Sequence, residues 1–434
     1  MKKSLRDTLR ELAGVPVPRF MGGNEVTLLQ GGDELFPRMV AAIGAARQEV
    51  WLATYIFHDD PAALAVAQAL IDAAARGVTV RVVIDGFGSI KSLPAVRARF
   101  AGSAVLLEVF RPLDRWWAWL QPGQLRRLHQ KLCVCDGGGS EGAAQEPTAF
   151  VGGINLIDDR NDLNHGWSDQ PRLDFAIEVR GPLALSARAA TRAMWTRAHF
   201  ARHWRTEFRI AAVSEHPVGE TMGLLQQLRG PAALEQSAAM DDRSPVRAAF
   251  LVRDNLRQRR IIERSFTEAI GRARQTVDIA VPYFYPGQRF RRALRAAARR
   301  GVRVRLLLQG KFDYRIAALA AQAVYDELRG HGVQIFEYTP AFLHAKVALV
   351  DDDWATVGSS NIDPLSLLLN LEANVVVRDA GFSRQLAARF DAAFALSTEV
   401  TEPMRRGLRG WLMRVVVASA ATLYLRVAGI TGRY

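Results

Sequence analysis

Apolar and polar positions fall in the same order in two distant stretches of the chain. The first begins at Ala41 and reads AAIGAARQEVWLATYIF; the second begins at Glu268 and reads EAIGRARQTVDIAVPYF. In each, apolar residues three and four apart predict a helix, and the Val/Leu/Ile run that follows predicts a buried strand. The correspondence continues with DAAARGVTVRVVIDG from Asp72 and AAARRGVRVRLLLQG from Ala296. Gly77 and Gly301 end those helices and suit a left-handed cap. A further strand follows in each copy, Ala104 to Phe110 and Val333 to Tyr338.

Helices alternating with strands predict βαβ units. The expected fold is α/β: two α/β/α halves, each with a mixed, mostly parallel sheet covered on both faces. Repeated halves are expected to pack about a pseudo-two-fold axis, as symmetric dimers do. They span about residues 24–212 and 246–398, between an N-terminal segment (1–23), a connecting segment (213–245) and a C-terminal tail (399–434). GGGSEGAAQEPT, after Asp136, has no counterpart in the second half and reads as a surface loop. A repeat within one chain neither requires nor forbids a dimer.

Composition narrows the class. The 434 residues are 49% hydrophobic and 23% charged, as in a globular protein. The net charge of +13 favours anionic partners: an acidic membrane, phosphorylated substrates or nucleic acid. Cys133 and Cys135 lie in an apolar strand; two thiols alone are a poor zinc site and read as small apolar fillers. MKKSLRDTLRELAG lacks the apolar centre of a secretory signal, and no stretch reaches the ~18–20 apolar residues of a spanning helix. The expected site of synthesis and residence is the cytoplasm.

The candidate chemistry lies in a doubled phrase, RLHQKLCVCD from Arg127 and FLHAKVALVD from Phe342. Residues two apart on a strand share a face, so His129 points with Lys131 and His344 with Lys346. Asp136 and Asp351 lie seven positions after their histidines. That odd spacing turns each to the opposite face, where it is expected to end the strand and hold loop amides or a distant base. Next come VGGIN, with Gly152, Gly153 and Asn155, and VGSSN, with Gly358, Ser359 and Asn361. Two His, two Lys and two Asn suit a phosphate diester: Lys and Asn neutralise the non-bridging oxygens, one ring attacks phosphorus and the other moves protons. No metal or other cofactor is expected. A ring that attacks needs a carboxylate on its other nitrogen. Glu372 and Asp174, each opening an apolar strand, supply candidates, with the expected pairs Glu372–His344 and Asp174–His129.

His-x-Lys, four residues, Asp, six residues and Gly-Ser-x-Asn resembles the phospholipase D superfamily; the second copy fits in full, and the first departs in its insertion and in Gly153 for Ser. AVPYFYPG, GVRVRLLLQG, IDGFGS and the stretch from Phe336 to Asn374 extend the resemblance to bacterial cardiolipin synthases of the B type, which lack N-terminal membrane helices. The resemblance implies His129, Lys131, Asp136, His344, Lys346 and Asp351 as the catalytic set. It implies metal-independent phosphatidyl transfer through a phosphohistidine, from one phosphatidylglycerol to another, giving cardiolipin and glycerol. It makes His129 the nucleophile and His344 the acid/base, an order that the symmetry of the motif leaves open.

Two segments are candidates for reaching lipid. The eleven uncharged residues between Arg414 and Arg426 span about 16 Å as a helix, half of a ~30 Å hydrocarbon core. With Trp411, Tyr424 and the cluster Arg405, Arg406, Arg409 and Arg414, that tail suits the interface of an anionic membrane; packing on the protein's own core is the alternative. Trp116, Trp117 and Trp119 are a second candidate, at the rim or in the core. The expected location is the cytoplasmic face of the bacterial membrane, with no nucleic-acid partner. A hydrolase or nuclease of the same superfamily and a non-catalytic binding protein are the alternatives.

Overall fold

The computed structural model describes residues 17–113, 126–136, 146–163, 166–213, 246–253, 258–311, 324–363 and 370–401. The first half opens with β1 (Glu25–Gln30), α1 (Gly31–Ala45), β2 (Glu49–Thr54), α2 (Pro61–Ala75), β3 (Thr79–Asp85), α3 (Leu93–Phe100) and β4 (Leu106–Phe110). Then come β5 (Leu132–Cys135), β6 (Thr148–Gly152), the small hairpin of β7 (Asn161–Asp162) and β8 (Gly166–Trp167), β9 (Phe175–Arg180) and the long helix α4 (Pro182–Val213). The second half contains β10 (Arg247–Arg253), α5 (Ile261–Arg272), β11 (Thr276–Val281), α6 (Gln288–Arg299), β12 (Arg303–Gln309) and β13 (Gln334–Tyr338). It closes with β14 (Val347–Val350), β15 (Trp354–Gly358), β16 (Glu372–Arg378), α7 (Ala380–Ala395) and β17 (Ser397–Glu399).

Local signals place the element ends. Asp60 accepts a hydrogen bond from Ala63 N and Pro61 starts α2, a pairing that satisfies one free amide and needs no other at the first position. Gly77 and Gly301 follow α2 and α6 with φ of 88° and 86°, the left-handed conformation that stops a helix.

The strand order is β1-β9-β6-β5-β2-β3-β4 in one sheet and β10-β16-β15-β14-β11-β12-β13-β17 in the other. In the first, β1, β2, β3, β4 and β6 run one way and β5 and β9 the other. Most strands thus point together, but direct parallel pairing is confined to β2–β3–β4, where α2 and α3 make the crossovers. The second sheet repeats this with β11–β12–β13. One edge of each sheet therefore collects the ends of β2, β3, β4 and β6, or of β11, β12, β13 and β15, with the starts of β5 and β9, or of β14 and β16.

Three cores hold the chain. α1, α2 and α3 cover the outer face of the first sheet, packing Phe36, Ile43, Leu70 and Phe100 on Val50, Val82 and Phe150. α5 and α6 cover the second with Phe266, Ile270, Phe290 and Leu294. The central core belongs to both halves: Leu183 and Met194 of α4 and Phe390 and Phe394 of α7 join Trp51 and Val83 of one sheet to Leu307 and Val375 of the other. The halves also exchange backbone. Leu128 forms a parallel bridge with Leu371, and Leu173 one with Leu343. These two symmetric crossings are where the site is built.

Candidate active site

Each crossing sets a histidine beside a carboxylate of the opposite half. His129 N donates to Leu371 O at 3.0 Å and Leu371 N to Arg127 O at 2.9 Å; His344 N donates to Leu173 O at 2.9 Å and Leu173 N to Phe342 O at 2.9 Å. The next residue along each bridge is the carboxylate. Glu372 Oε2 lies 3.0 Å from His129 Nδ1, and Asp174 Oδ2 lies 2.6 Å from His344 Nδ1. The pairs expected from sequence, Glu372–His344 and Asp174–His129, are therefore replaced by the crossed pairs. The physical reason is the exchange of backbone between halves, which puts the start of β16 against the strand lead of His129 and the start of β9 against that of His344.

His129 and Lys131 sit just before β5, and His344 and Lys346 just before β14, so the pairs lie in extended leads rather than within strands. Lys131 Nζ donates to His129 O at 2.7 Å. Lys346 Nζ donates to His344 O and lies 2.9 Å from His344 Nδ1. Asn155 and Asn361 follow β6 and β15 at the same edge. Asn155 Oδ1 accepts from Ile56 N at 3.3 Å, while the buried Oδ1 of Asn361 has no partner among the described residues. Ser359 Oγ donates to Glu372 Oε2 at 2.5 Å and accepts from Ala373 N at 3.0 Å. Its counterpart must be Gly153: a Cβ there would stand 2.4 Å from Asp174 Oδ1. The shorter carboxylate occupies the volume that the serine side chain fills in the other half.

Asp136 and Asp351 do not join this group, so their place in the catalytic set is corrected. They follow β5 and β14 at the opposite end of the strands. Asp136 accepts from the amides of Gln48 at 2.7 Å and Glu49 at 3.1 Å, and Asp351 from those of Gln275 at 2.8 Å and Thr276 at 3.0 Å. Each ties the far end of its strand to the start of β2 or β11, and Asp351 does so from a left-handed turn with φ of 52°.

A family description, "Cardiolipin synthase, PLD-like domain", matches residues 39–166 and 266–394, one match per half. Cardiolipin synthase B of Escherichia coli (strain K12) is 33% identical over 401 residues, covering 90% of this chain and 85% of that protein. Cardiolipin synthase A of Pseudomonas aeruginosa (strain UCBPP-PA14) is 31% identical over 392 residues, covering 90% and 71%. The chain belongs to the phospholipase D-like family of cardiolipin synthases. Its fold is like that of phosphatidylserine synthase from Haemophilus influenzae, with a TM-score of 0.60 at 12% identity over 96% of this chain and 97% of that one.

Burial sets the electrostatics of this phospholipase D-like site. Lys131 is brought down to about 7 and Lys346 to about 8, in both cases by burial first; Lys131 is lowered further by Lys346. Burial also lowers both rings. His344 goes well down, with Lys346 and Arg172 adding to burial, while Glu372 pulls His129 part of the way back. Asp174 is raised to about 6 by burial against the pull of Lys346. Burial pushes Glu372 up as well, but His129, Lys131 and the Ser359 hydroxyl outweigh it and hold Glu372 below the ordinary carboxylate range. Near neutral pH both rings are neutral, with ionised carboxylates behind them and two ammoniums poised to lose or keep a proton.

Several supporting residues were not singled out from sequence. Asp85 at the end of β3 is fully buried and accepts from Leu128 N at 2.8 Å; Gln309, its repeat equivalent at the end of β12, accepts from Leu343 N at 3.0 Å. Each fixes the amide that precedes a histidine. The signal was present in IDG and LQG, a polar residue closing the same apolar strand in both copies. Tyr55 sets its ring edge-on to His129, with centroids 5.0 Å apart. Trp116, Trp117 and Trp119, the loop after Asp136, most of the connecting segment and the C-terminal tail beyond residue 401 lie outside the described residues. Among the described residues, no helix is long and apolar enough to cross a membrane.

Proposed function

We propose that the chain makes cardiolipin by moving a phosphatidyl group from one phosphatidylglycerol to the primary hydroxyl of a second, with release of glycerol. The observation that carries this reading is the crossed pair of histidine–carboxylate contacts flanked by Lys131 and Lys346. His129 Nδ1 meets only acceptors, Glu372 Oε2 at 3.0 Å and Ser359 O at 3.1 Å. It must therefore carry the proton, which leaves the Nε2 lone pair as the nucleophile.

In the first step the negative charge of the bound diester offsets Lys346 and Arg172, so that His344 takes up a proton; Nε2 of His129 then bonds to phosphorus, the bond from phosphorus to the glycerol oxygen breaks, and the charged His344 gives that oxygen its proton. In the second, His344 takes the proton of the accepting hydroxyl, its oxygen bonds to phosphorus, and the P–N bond breaks to restore His129. Lys131, Lys346, Asn155, Asn361 and their backbone surroundings stabilise charge on the non-bridging oxygens. Asp174 and Glu372 orient the rings, and Ser359 orients Glu372. The same reading takes residues 24–212 and 246–398 as the two units. It places the enzyme on the cytoplasmic face of the bacterial membrane, with the tail from residue 399 and its Trp411, Tyr424 and arginines against anionic lipid.

The test is to incubate the purified protein with phosphatidylglycerol vesicles and analyse products by mass spectrometry. Cardiolipin with free glycerol is the expected result. Phosphatidic acid with glycerol would make the enzyme a hydrolase; cleavage of DNA without lipid turnover would make it a nuclease.

A further inference from the structure

Four large apolar side chains stand exposed along the edge of the molecule that carries the histidines. Phe87 is 37% exposed, Ile90 46%, Trp167 62% and Tyr283 41%. The other exposed large apolar side chains described, among them Leu64 on α2 and Leu106 at the far end of β4, are scattered.

Their placement follows from the topology. Phe87 and Ile90 lie in the turn after β3, Trp167 lies in β8, on the excursion that follows β6, and Tyr283 follows β11; all three strands end at the site edge. Asp85 accepts from Phe87 N at 2.8 Å and from Leu128 N at 2.8 Å, so Phe87 stands one carboxylate away from the His129 lead. Lys91 Nζ donates to Leu163 O at 3.3 Å, which joins the turn of Ile90 to the hairpin of Trp167. Tyr283 precedes Phe284, which bridges Ile362 beside Asn361. Exposed cations share the edge: Lys91, Arg126 and Lys311.

Single exposed apolar residues need no explanation, but four converging on one cleft mark an interaction surface. A phosphodiester carried on two acyl chains reaches a buried His–Lys site only if the mouth of that site meets the lipid interface. Aromatic and aliphatic side chains mixed with Lys and Arg match such an interface in chemistry and charge. We infer that the mouth of the active site itself enters an anionic lipid interface, with Phe87, Ile90, Trp167 and Tyr283 dipping below the headgroups. This rests on the proposed lipid substrate and adds a contact that involves neither the C-terminal tail nor the Trp116–Trp119 segment.

The experiment compares the full chain with Ile90→Ser/Trp167→Ser in two assays. One is co-sedimentation with phosphatidylglycerol vesicles, together with turnover on them. The other is turnover of a short-chain phosphatidylglycerol kept below its micelle concentration. The double variant is expected to lose about tenfold or more in vesicle partitioning and vesicle turnover. Its short-chain rate should stay unchanged. Unchanged partitioning, or equal loss on both substrates, would overturn the inference. Wild type that turns over neither lipid form, while partitioning still depends on these residues, would remove the substrate assignment and leave the docking surface standing. If the double variant does not fold, vesicles with brominated acyl chains replace it. They should quench wild-type fluorescence more than that of Trp167→Phe, and equal quenching would overturn the inference.

Discussion

His129 and His344 hold equivalent places in the repeat, yet their Nδ1 atoms meet different neighbours. His129 Nδ1 faces a carboxylate and a carbonyl, which accept only, so its proton is fixed. His344 Nδ1 lies between Asp174 at 2.6 Å and the Lys346 ammonium at 2.9 Å, an acceptor and a donor. The carboxylates differ too: Glu372 is held down, and Asp174 is raised to about 6. One half locks a tautomer, as a nucleophile needs. The other keeps its proton shared, as an acid that must become a base needs. The difference teaches that the repeat supplied two similar sets of groups, and that small local changes, Ser359 against Gly153 and Glu against Asp, made the surroundings of the two rings unequal.

Removing either ring tests this division most severely. His129→Ala and His344→Ala should each lower kcat by about 10³–10⁴-fold or more, and the double variant should fall little further, because the groups act as a unit. Measured kcat values for the three variants check this. A smaller but sharper contrast comes from the residues that differ. Gly153→Ser should cost about 10²-fold, since its Cβ would displace Asp174, whereas Ser359→Ala, which removes one hydrogen bond to Glu372, should cost about tenfold. Equal losses would mean that the two halves are interchangeable.

The pH dependence of kcat/KM should be bell-shaped. Activity should fall below about 6 as Asp174 takes a proton, and above about 7 to 8 as Lys131 and Lys346 lose theirs. Asp174→Asn should abolish the acid limb and move the alkaline limb to lower pH, because the Asp174 charge raises both Lys346 and Lys131. Stability carries its own sign. Lys131 is lowered from 10.5 to about 7, so between those values the unfolded chain binds more protons and stability rises with pH. Inorganic phosphate, which favours the charged lysines, should raise the melting temperature more at pH 6.5 than at pH 9. The smallest catalytic effect is expected outside the cleft. Asp136→Ala or Asp351→Ala should cost about 1–3 kcal/mol in denaturant unfolding by freeing three backbone amides at the start of β2 or β11, with the pH profile unmoved.

Much of this was legible in the chain. The repeat announced two α/β halves, because periodicity and turn glycines are local properties. The odd spacing pointed Asp136 and Asp351 away from the cleft, an outcome that the structure reaches by the length of β5 and β14, which carries both to the far end of the sheet. The partners of the rings were not legible: Glu372 follows His344 in sequence, and nothing local shows that β16 begins beside the other histidine. That depends on the backbone exchange at Leu128–Leu371 and Leu173–Leu343, which arises only when the halves dock. The shift of Asp174 was hidden for the same reason, since burial at the interface causes it.

The crossed pairing is tested most directly by nitrogen NMR of the histidine rings in protein labelled with ¹⁵N-histidine, with assignments from the single histidine variants. Glu372→Gln should move the His129 ring signals and leave those of His344 in place; Asp174→Asn should do the reverse. A His344 response to Glu372→Gln, with His129 unmoved, would contradict the account.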